Sequence, residues 1–150
     1  MEPITTVSEI QVSYQPAIGR MPEIKCSFDA YTELLHFFDK DLLHLQEMFV
    51  VLYLNRARRV IGAYKLSKGG LVGTVADVRL ILATALKTAA SYMILAHNHP
   101  SGNVVPSQSD EKLTIRIAEA AKLMELSVSD HIIIGSAAGG YYSFADNGLL

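Results

Sequence analysis

Two histidines, a serine and an aspartate stand close together in one run. It reads His97-Asn98-His99-Pro100-Ser101-Gly102-Asn103-Val104-Val105-Pro106-Ser107-Gln108-Ser109-Asp110. His97 and His99 are two positions apart, Ser107 comes eight after His99, and Asp110 three after Ser107. Two neutral imidazoles and one carboxylate, with a fourth position left to water, are a common ligand set for catalytic zinc. Such a site carries about +1 net charge and draws the pKa of a bound water towards ~7, so the chemistry on offer is hydrolysis. A plainer assignment makes Ser107 a helix cap, Asp110 a partner of the helix dipole and the histidines a polar loop. It covers each piece alone, but not the combination at a junction between a strand end and a helix start.

Hydrolysis also needs a proton acceptor, and local spacing does not choose among the Asp and Glu residues. Glu47 stands out because it immediately precedes the most hydrophobic run of the chain, Met48 to Leu54. A carboxylate at the mouth of a central strand is half-buried or aimed into a cleft, where its pKa rises into a useful range. An ordinary strand-end charge is the alternative for this position.

The elements that must position these groups follow from pattern. Tyr92 to Ala96 reads as a short buried strand ending where His97 begins. In extended chain, residues two apart point to one side, so both imidazoles converge just beyond its end. Pro100 biases His99 towards extended backbone, and Pro100 with Gly102 turns the chain. Ser107 and Asp110 have the spacing of a capping box, which places Asp110 in the first turn of a helix running to about Leu126. Its expected inward face is Leu113, Ile117, Ala120 and Met124. Met48 to Leu54 reads as a central strand buried on both faces. Arg56 to Arg59 is a solvated turn into a second strand, Val60 to Leu66. A helix capped by Ser27 buries Tyr31, Leu34, Leu35 and Phe38, at i, i+3, i+4 and i+7. Gly69, Gly70 and Gly73 mark a flexible crossing before a helix from about Asp77 to Ala90, with Val78, Ile81, Leu82 and Ala85 inward. Ile132 to Ile134 and Tyr141 to Phe144 are closing strands. The alternation over residues 8 to 14 predicts an edge strand, which could pair with a neighbouring copy. The sum is an α/β (α+β) domain, a mixed central sheet flanked by helices.

Composition sets outer bounds. The chain has 150 residues, half of them hydrophobic and 19% charged, which fits one globular domain with a real core. A net charge of -2 gives no field favouring nucleic acid or anionic membrane. Cys26 is the only cysteine, which excludes an intrachain disulfide and a Cys-based zinc cluster. A lone cysteine of this kind is expected to be a small buried hydrophobe. With no apolar run near the roughly 20 residues that span a bilayer and no signal-peptide pattern, the expectation is a cytoplasmic protein with no membrane partner. His36 and His44 read as surface or boundary residues. His131 reads as a hydrogen-bonded structural histidine, with a supporting role behind the metal ligands as the alternative. Ser101 is expected to support the site from behind, and Asn98 to line the pocket or satisfy loop backbone.

Glu47 followed by His97-x-His99, seven residues, Ser107-x-x-Asp110 resembles the JAB/JAMM (MPN+) metalloprotease signature. His97 to Gly102, Pro106-Ser107, Asp130 to Gly135, Ser143-Phe144 and the stretch from Gly73 through Arg79 resemble its bacterial RadC branch. The match covers about residues 27 to 146, leaving 1 to 26 as an extension. The resemblance implies a curved mixed sheet of cytidine-deaminase-like architecture. It implies one zinc ion on His97, His99 and Asp110, Glu47 as general base, and Ser107 as oxyanion stabiliser or water orienter. The implied reaction is hydrolysis of an amide bond in a peptide or protein substrate. Full-length RadC proteins carry a helix-hairpin-helix segment ahead of this domain. Some 26 residues precede the first helix in this sequence, fewer than such a module needs, so the expectation is that a DNA-repair role suggested by the RadC resemblance lacks physical support. The competing readings are an accessory or binding domain with a non-catalytic metal, linked to DNA repair or mobile elements, and a metal-dependent nuclease. Intact Glu47 and the charge balance argue against both. Neither the substrate nor the oligomeric state is legible.

Overall fold

A computed structural model describes residues 7–68, 76–136, 138 and 140–150. The expected glycine crossing at 69, 70 and 73 lies outside the described residues. In chain order the elements are α1 (Ser27–Leu34), β1 (Met48–Leu54), β2 (Val60–Lys68), α2 (Val78–Lys87), β3 (Tyr92–Asn98), α3 (Gln108–Leu123), β4 (Ser127–Ile134) and β5 (Tyr141–Ser143). The strands form one mixed sheet in the order β2-β1-β3-β4-β5. β1 pairs antiparallel with both β2 and β3, β3 pairs parallel with β4, and β5 returns antiparallel. Parallel neighbours need a crossover, and α3 supplies it between β3 and β4.

Both faces of the sheet are covered, as the unbroken apolar run of β1 requires. Val50, Leu52, Ile94, Ala96, Ile132 and Ile134 face α1, where Ala30, Tyr31 and Leu34 meet them. Phe49, Val51, Tyr53, Met93 and Leu95 face α2 and α3, where Ile81, Ala85, Ile117 and Ala121 meet them. The period-2 alternation therefore gives every odd or even position of β1 and β3 a fixed side. The turn at Arg56–Arg59 is built by Asn55, whose Oδ1 accepts the Ala57 and Arg59 N–H groups, each at 3.0 Å. Arg58 lies over the Tyr92 ring, and Arg59 pairs with Glu23 and the Met21 carbonyl.

Four expectations need correction. Residues 8 to 14 form no strand: they are exposed irregular chain, held by Tyr14 Oη donating to the Ile61 carbonyl at 2.8 Å. Alternation creates a face but supplies no partner strand, and without one the backbone stays solvated. The inward face of α3 is Leu113, Thr114, Ile117 and Ala121, and the helix ends at Leu123, which leaves Met124 exposed. The cap of α1 is Cys26, one residue earlier than Ser27, with Asp29 Oδ2 accepting the Lys25 and Cys26 N–H groups. Cys26 is exposed rather than buried, because the cap position lies outside the helix's apolar stripe.

Candidate metal centre

β3 runs two residues further than its apolar pattern indicates and includes His97 and Asn98. His97 pairs with Phe49 across the β1 ladder and with Ile133 across the β4 ladder. Its odd position turns it to the α2/α3 face, where the Phe49 ring stacks on it at 6.1 Å between centroids. His99 follows on the same face, its N–H donating to the Ile134 carbonyl at 3.0 Å. The chain then turns through Gly102, whose φ of +84° favours glycine. A β-carbon on Gly135 would lie 2.6 Å from Val104 Cγ1 and 2.7 Å from the Gly102 carbonyl oxygen, so the two loops touch backbone to backbone.

Ser107 and Asp110 form the expected capping box. Ser107 Oγ accepts the Asp110 N–H at 3.1 Å, and Asp110 Oδ2 accepts the Ser107 N–H at 2.8 Å. The cap does not compete with ligation, since it orients the carboxylate towards the histidines. Asp110 Oδ1 lies 3.2 Å from His97 Nε2, and Oδ2 lies 3.3 Å from His99 Nε2. The two Nε2 atoms are 3.0 Å apart. The side chains are 2%, 19% and 14% exposed for His97, His99 and Asp110, so the cluster opens to solvent on the His99 and Asp110 side. These three residues could hold a metal ion.

The hydrogen bonds behind the cluster fix which ring nitrogens face it. Thr114 Oγ1 donates to the Asp110 carbonyl at 2.7 Å, so it accepts from His131 Nδ1 at 2.6 Å. His131 therefore carries its proton on Nδ1, and its Nε2 accepts from His97 Nδ1 at 2.8 Å. That leaves His97 Nε2 as the nitrogen aimed at Asp110 and His99. His99 Nδ1 donates to the Asn103 carbonyl at 2.6 Å, which frees its Nε2 in the same way. Ser101 Oγ accepts the Asn103 N–H at 3.2 Å and steadies that turn. Two nitrogen lone pairs and a carboxylate aimed at one point repel one another unless a cation lies between them.

Protons on the two Nε2 atoms can take the place of that cation. Burial opposes ionisation of Asp110, but hydrogen bonds from His97 and His99 protonated at Nε2 outweigh it and hold the carboxyl well below the usual carboxylate range. The Asp110 carboxylate raises His99, against burial, with help from the Asn103 carbonyl. Burial pushes His131 far below the ordinary histidine value, with the positive field of His97 adding to it. Phe49 and Phe144 wall His131 in, with ring centroids at 5.8 and 4.8 Å. His131 thus braces His97 from behind the cluster, the supporting position that the sequence left as an alternative to a merely structural one. Thr114 carried no signal in the sequence, because its partners are set by packing α3 on β4.

Glu47 lies one residue before β1, in register to continue the face of Phe49 and His97. It is half-buried. Burial raises its pKa, and the Asp110 charge adds to this against the pull of His97 and His99. His36 and His44 are exposed, as expected, although His44 Nδ1 reaches the Pro100 carbonyl at 3.3 Å.

Fold and cluster together define a mixed α/β domain with a His-x-His and aspartate group at the junction of β3 and α3. A protein-family profile described as RadC-like JAB domain matches residues 27–149, and the chain belongs to that family. It is similar to a UPF0758 protein of Porphyromonas gingivalis, 42% identical over 98% of this chain and 64% of the relative. It is also similar to a UPF0758 protein of Flavobacterium johnsoniae, 41% identical over 88% of this chain and 56% of that protein. UPF0758 protein YfjY of Escherichia coli is 41% identical over 70% of this chain and 64% of its own length. The chain thus spans about three fifths of the length of these relatives. No helix among the described residues is long and apolar enough to cross a membrane.

Proposed function

We propose that this protein is a zinc-dependent hydrolase that cleaves amide bonds in peptides or isopeptide-linked proteins. One observation carries the reading. Three ligand atoms converge beside a half-buried carboxylate of raised proton affinity, Glu47, on the same face of the sheet. Ligand atoms held at about 2.0–2.1 Å by a tetrahedral ion lie roughly 3.3 Å from one another. The separations of 3.0, 3.2 and 3.3 Å in the cluster need little adjustment to meet that. Two imidazoles and one carboxylate suit zinc, and three protein ligands leave a position for chemistry.

When bound, zinc supplies Lewis acidity towards the scissile carbonyl and acidifies a water near neutral pH. Glu47 takes the proton of the attacking water and passes it to the departing amine nitrogen. Ser107 Oγ accepts from the Asp110 N–H, which leaves its hydroxyl proton for the developing oxyanion. His131 and Thr114 keep His97 in the tautomer that ligation requires.

A nuclease would need cations around the site to meet phosphates. The concentrated basic stretch, Arg56–Arg59, sits at the opposite end of β1 from Glu47, a strand of 7 residues away. There Arg58 and Arg59 are engaged with Tyr92, Glu23 and Met21.

Profiling against a panel of peptides and isopeptide-linked substrates tests the proposal. Zinc-loaded protein should cleave members of the panel. Glu47→Gln should keep its zinc and lose activity by about 10²–10⁴-fold, the usual share of a general base. An inert wild type, or a Glu47→Gln variant as active as wild type, would refute the reading.

A further inference from the structure

Asn98 lies between His97 and His99 in sequence but points the other way. Its even position on β3 turns it to the α1 face, where it is completely buried. Among the described residues, its side-chain bonds all go to one segment. Oδ1 accepts the Met48 N–H at 2.7 Å, while Nδ2 donates to the Leu43 carbonyl at 2.7 Å and the Gln46 carbonyl at 2.8 Å. Gln46 and Met48 are the two neighbours of Glu47. The backbone ladder between β1 and β3 ends at the pair Phe49 and His97. Beyond that pair the Asn98 side chain replaces the backbone as the tie between the strands. The set of groups it meets, one N–H and two carbonyls, asks for an acceptor and two donors on a short stem, which the asparagine amide provides. An aspartate would set a carboxylate oxygen against two carbonyls, and a leucine would leave three polar groups without a partner.

We propose that Asn98 is a positioning residue for Glu47, holding its carboxylate at a fixed distance from the point where His97, His99 and Asp110 converge. The three residues His97, Asn98 and His99 then set both halves of the site: ligands on one face of β3, and the clamp on the base through the other. The functional side of this inference rests on the reading of Glu47 as general base; the clamp itself does not.

The test uses the full chain as wild type, Asn98→Ser, Glu47→Gln and the double variant. Each is analysed for zinc and assayed on a peptide cleaved in the panel above. Asn98→Ser should keep its zinc and lose about 10–100-fold in kcat with little change in KM, the scale of supporting-residue losses at metal sites. In the Glu47→Gln background the same change should cost nothing further, since the two act as a unit. Losses that multiply in the double variant, or loss of zinc from Asn98→Ser, would overturn the proposal. A second readout needs no substrate. With cobalt in place of zinc, the paramagnetic shift of a ¹³C-labelled Glu47 side chain should be sharp in wild type and shrunken or broadened in Asn98→Ser. An unchanged shift would overturn the clamp, whereas an altered shift in a protein that cleaves nothing would sink the hydrolase reading alone. If Asn98→Ser does not fold, amide exchange in wild type decides. The Met48 N–H should be as protected as those inside β1, and loop-like exchange there would refute the clamp.

Discussion

Asp110 and Asp130 are both carboxylates drawn out of solvent in one small domain, and their proton affinities move in opposite directions. Asp130 accepts from Ser143 Oγ at 2.6 Å, the His131 N–H at 2.7 Å and the Ala145 N–H at 3.0 Å. All three donors are neutral, so burial wins and its pKa rises, with the nearby Asp146 charge adding to it. Asp110 meets two imidazoles that can carry or share positive charge, and its carboxyl is held low despite burial. Burial and a full set of hydrogen bonds do not by themselves keep a carboxylate ionised; partners able to carry positive charge do. The two sites also share a strand. Asp130 faces the α1 side of β4 and ties β4 to the segment after β5, while the next residue, His131, faces α3 and braces His97.

The contrast breaks most sharply under truncation. Asp130→Ala would leave three donors without their acceptor and cost about 3 kcal/mol or more, a fall in Tm of roughly 6–12 °C, with zinc binding kept. Thermal melts and metal analysis of the same sample check both halves. Next in size is the stabilisation from the ion itself. Zinc at about 100 times its dissociation constant should add about 2.7 kcal/mol to wild type. Asp130→Asn should show the same rise in Tm on adding zinc, and Asp110→Asn should show little or none.

A smaller effect probes the tautomer chain. Thr114→Val removes the hydroxyl that orients His131 and should weaken zinc binding by about 10–100-fold, without touching a ligand. Imidazole ¹⁵N shifts should show His131 losing its single Nδ1–H tautomer. The smallest effect is in pH. Because the folded-state pKa of Asp130 is raised, its protonated form favours the fold. That contribution is complete below the unfolded carboxyl value of about 3.9 and is lost as pH rises through the folded value. Metal-free wild type should therefore lose Tm relative to Asp130→Asn as pH is raised from about 4 towards neutrality. A parallel pair of curves would place Asp130 with the ordinary carboxylates.

The His97, His99 and Asp110 cluster was legible because its geometry is local. A two-residue spacing in extended chain and a three-residue capping box both survive folding unchanged, and both deliver their groups to one junction. β1 was legible from an apolar run that only a doubly covered strand tolerates. The supporting residues were legible only as kinds of role: Asn98 satisfies loop backbone rather than lining the pocket, and the particular partners could not be read. Asn98 meets partners 50 to 55 positions away and Thr114 meets His131 at 17, so nothing near them in sequence announces the contact. The miss at residues 8 to 14 has the opposite cause, a clear local pattern with no strand beside it. The inward face of α3 includes Thr114, a polar residue whose buried place follows from its bonds to His131 and the Asp110 carbonyl, and Met124 drops out of the stripe because the helix stops at Leu123.

If His97, His99 and Asp110 form one ion site, elemental analysis of the purified, zinc-equilibrated protein beside its Asp110→Ala variant will show it. About one zinc per chain is expected in wild type and a small fraction of that in the variant, with Asp130→Ala retaining the wild-type amount. A wild type without stoichiometric zinc, or an Asp110→Ala variant that holds as much, would contradict it.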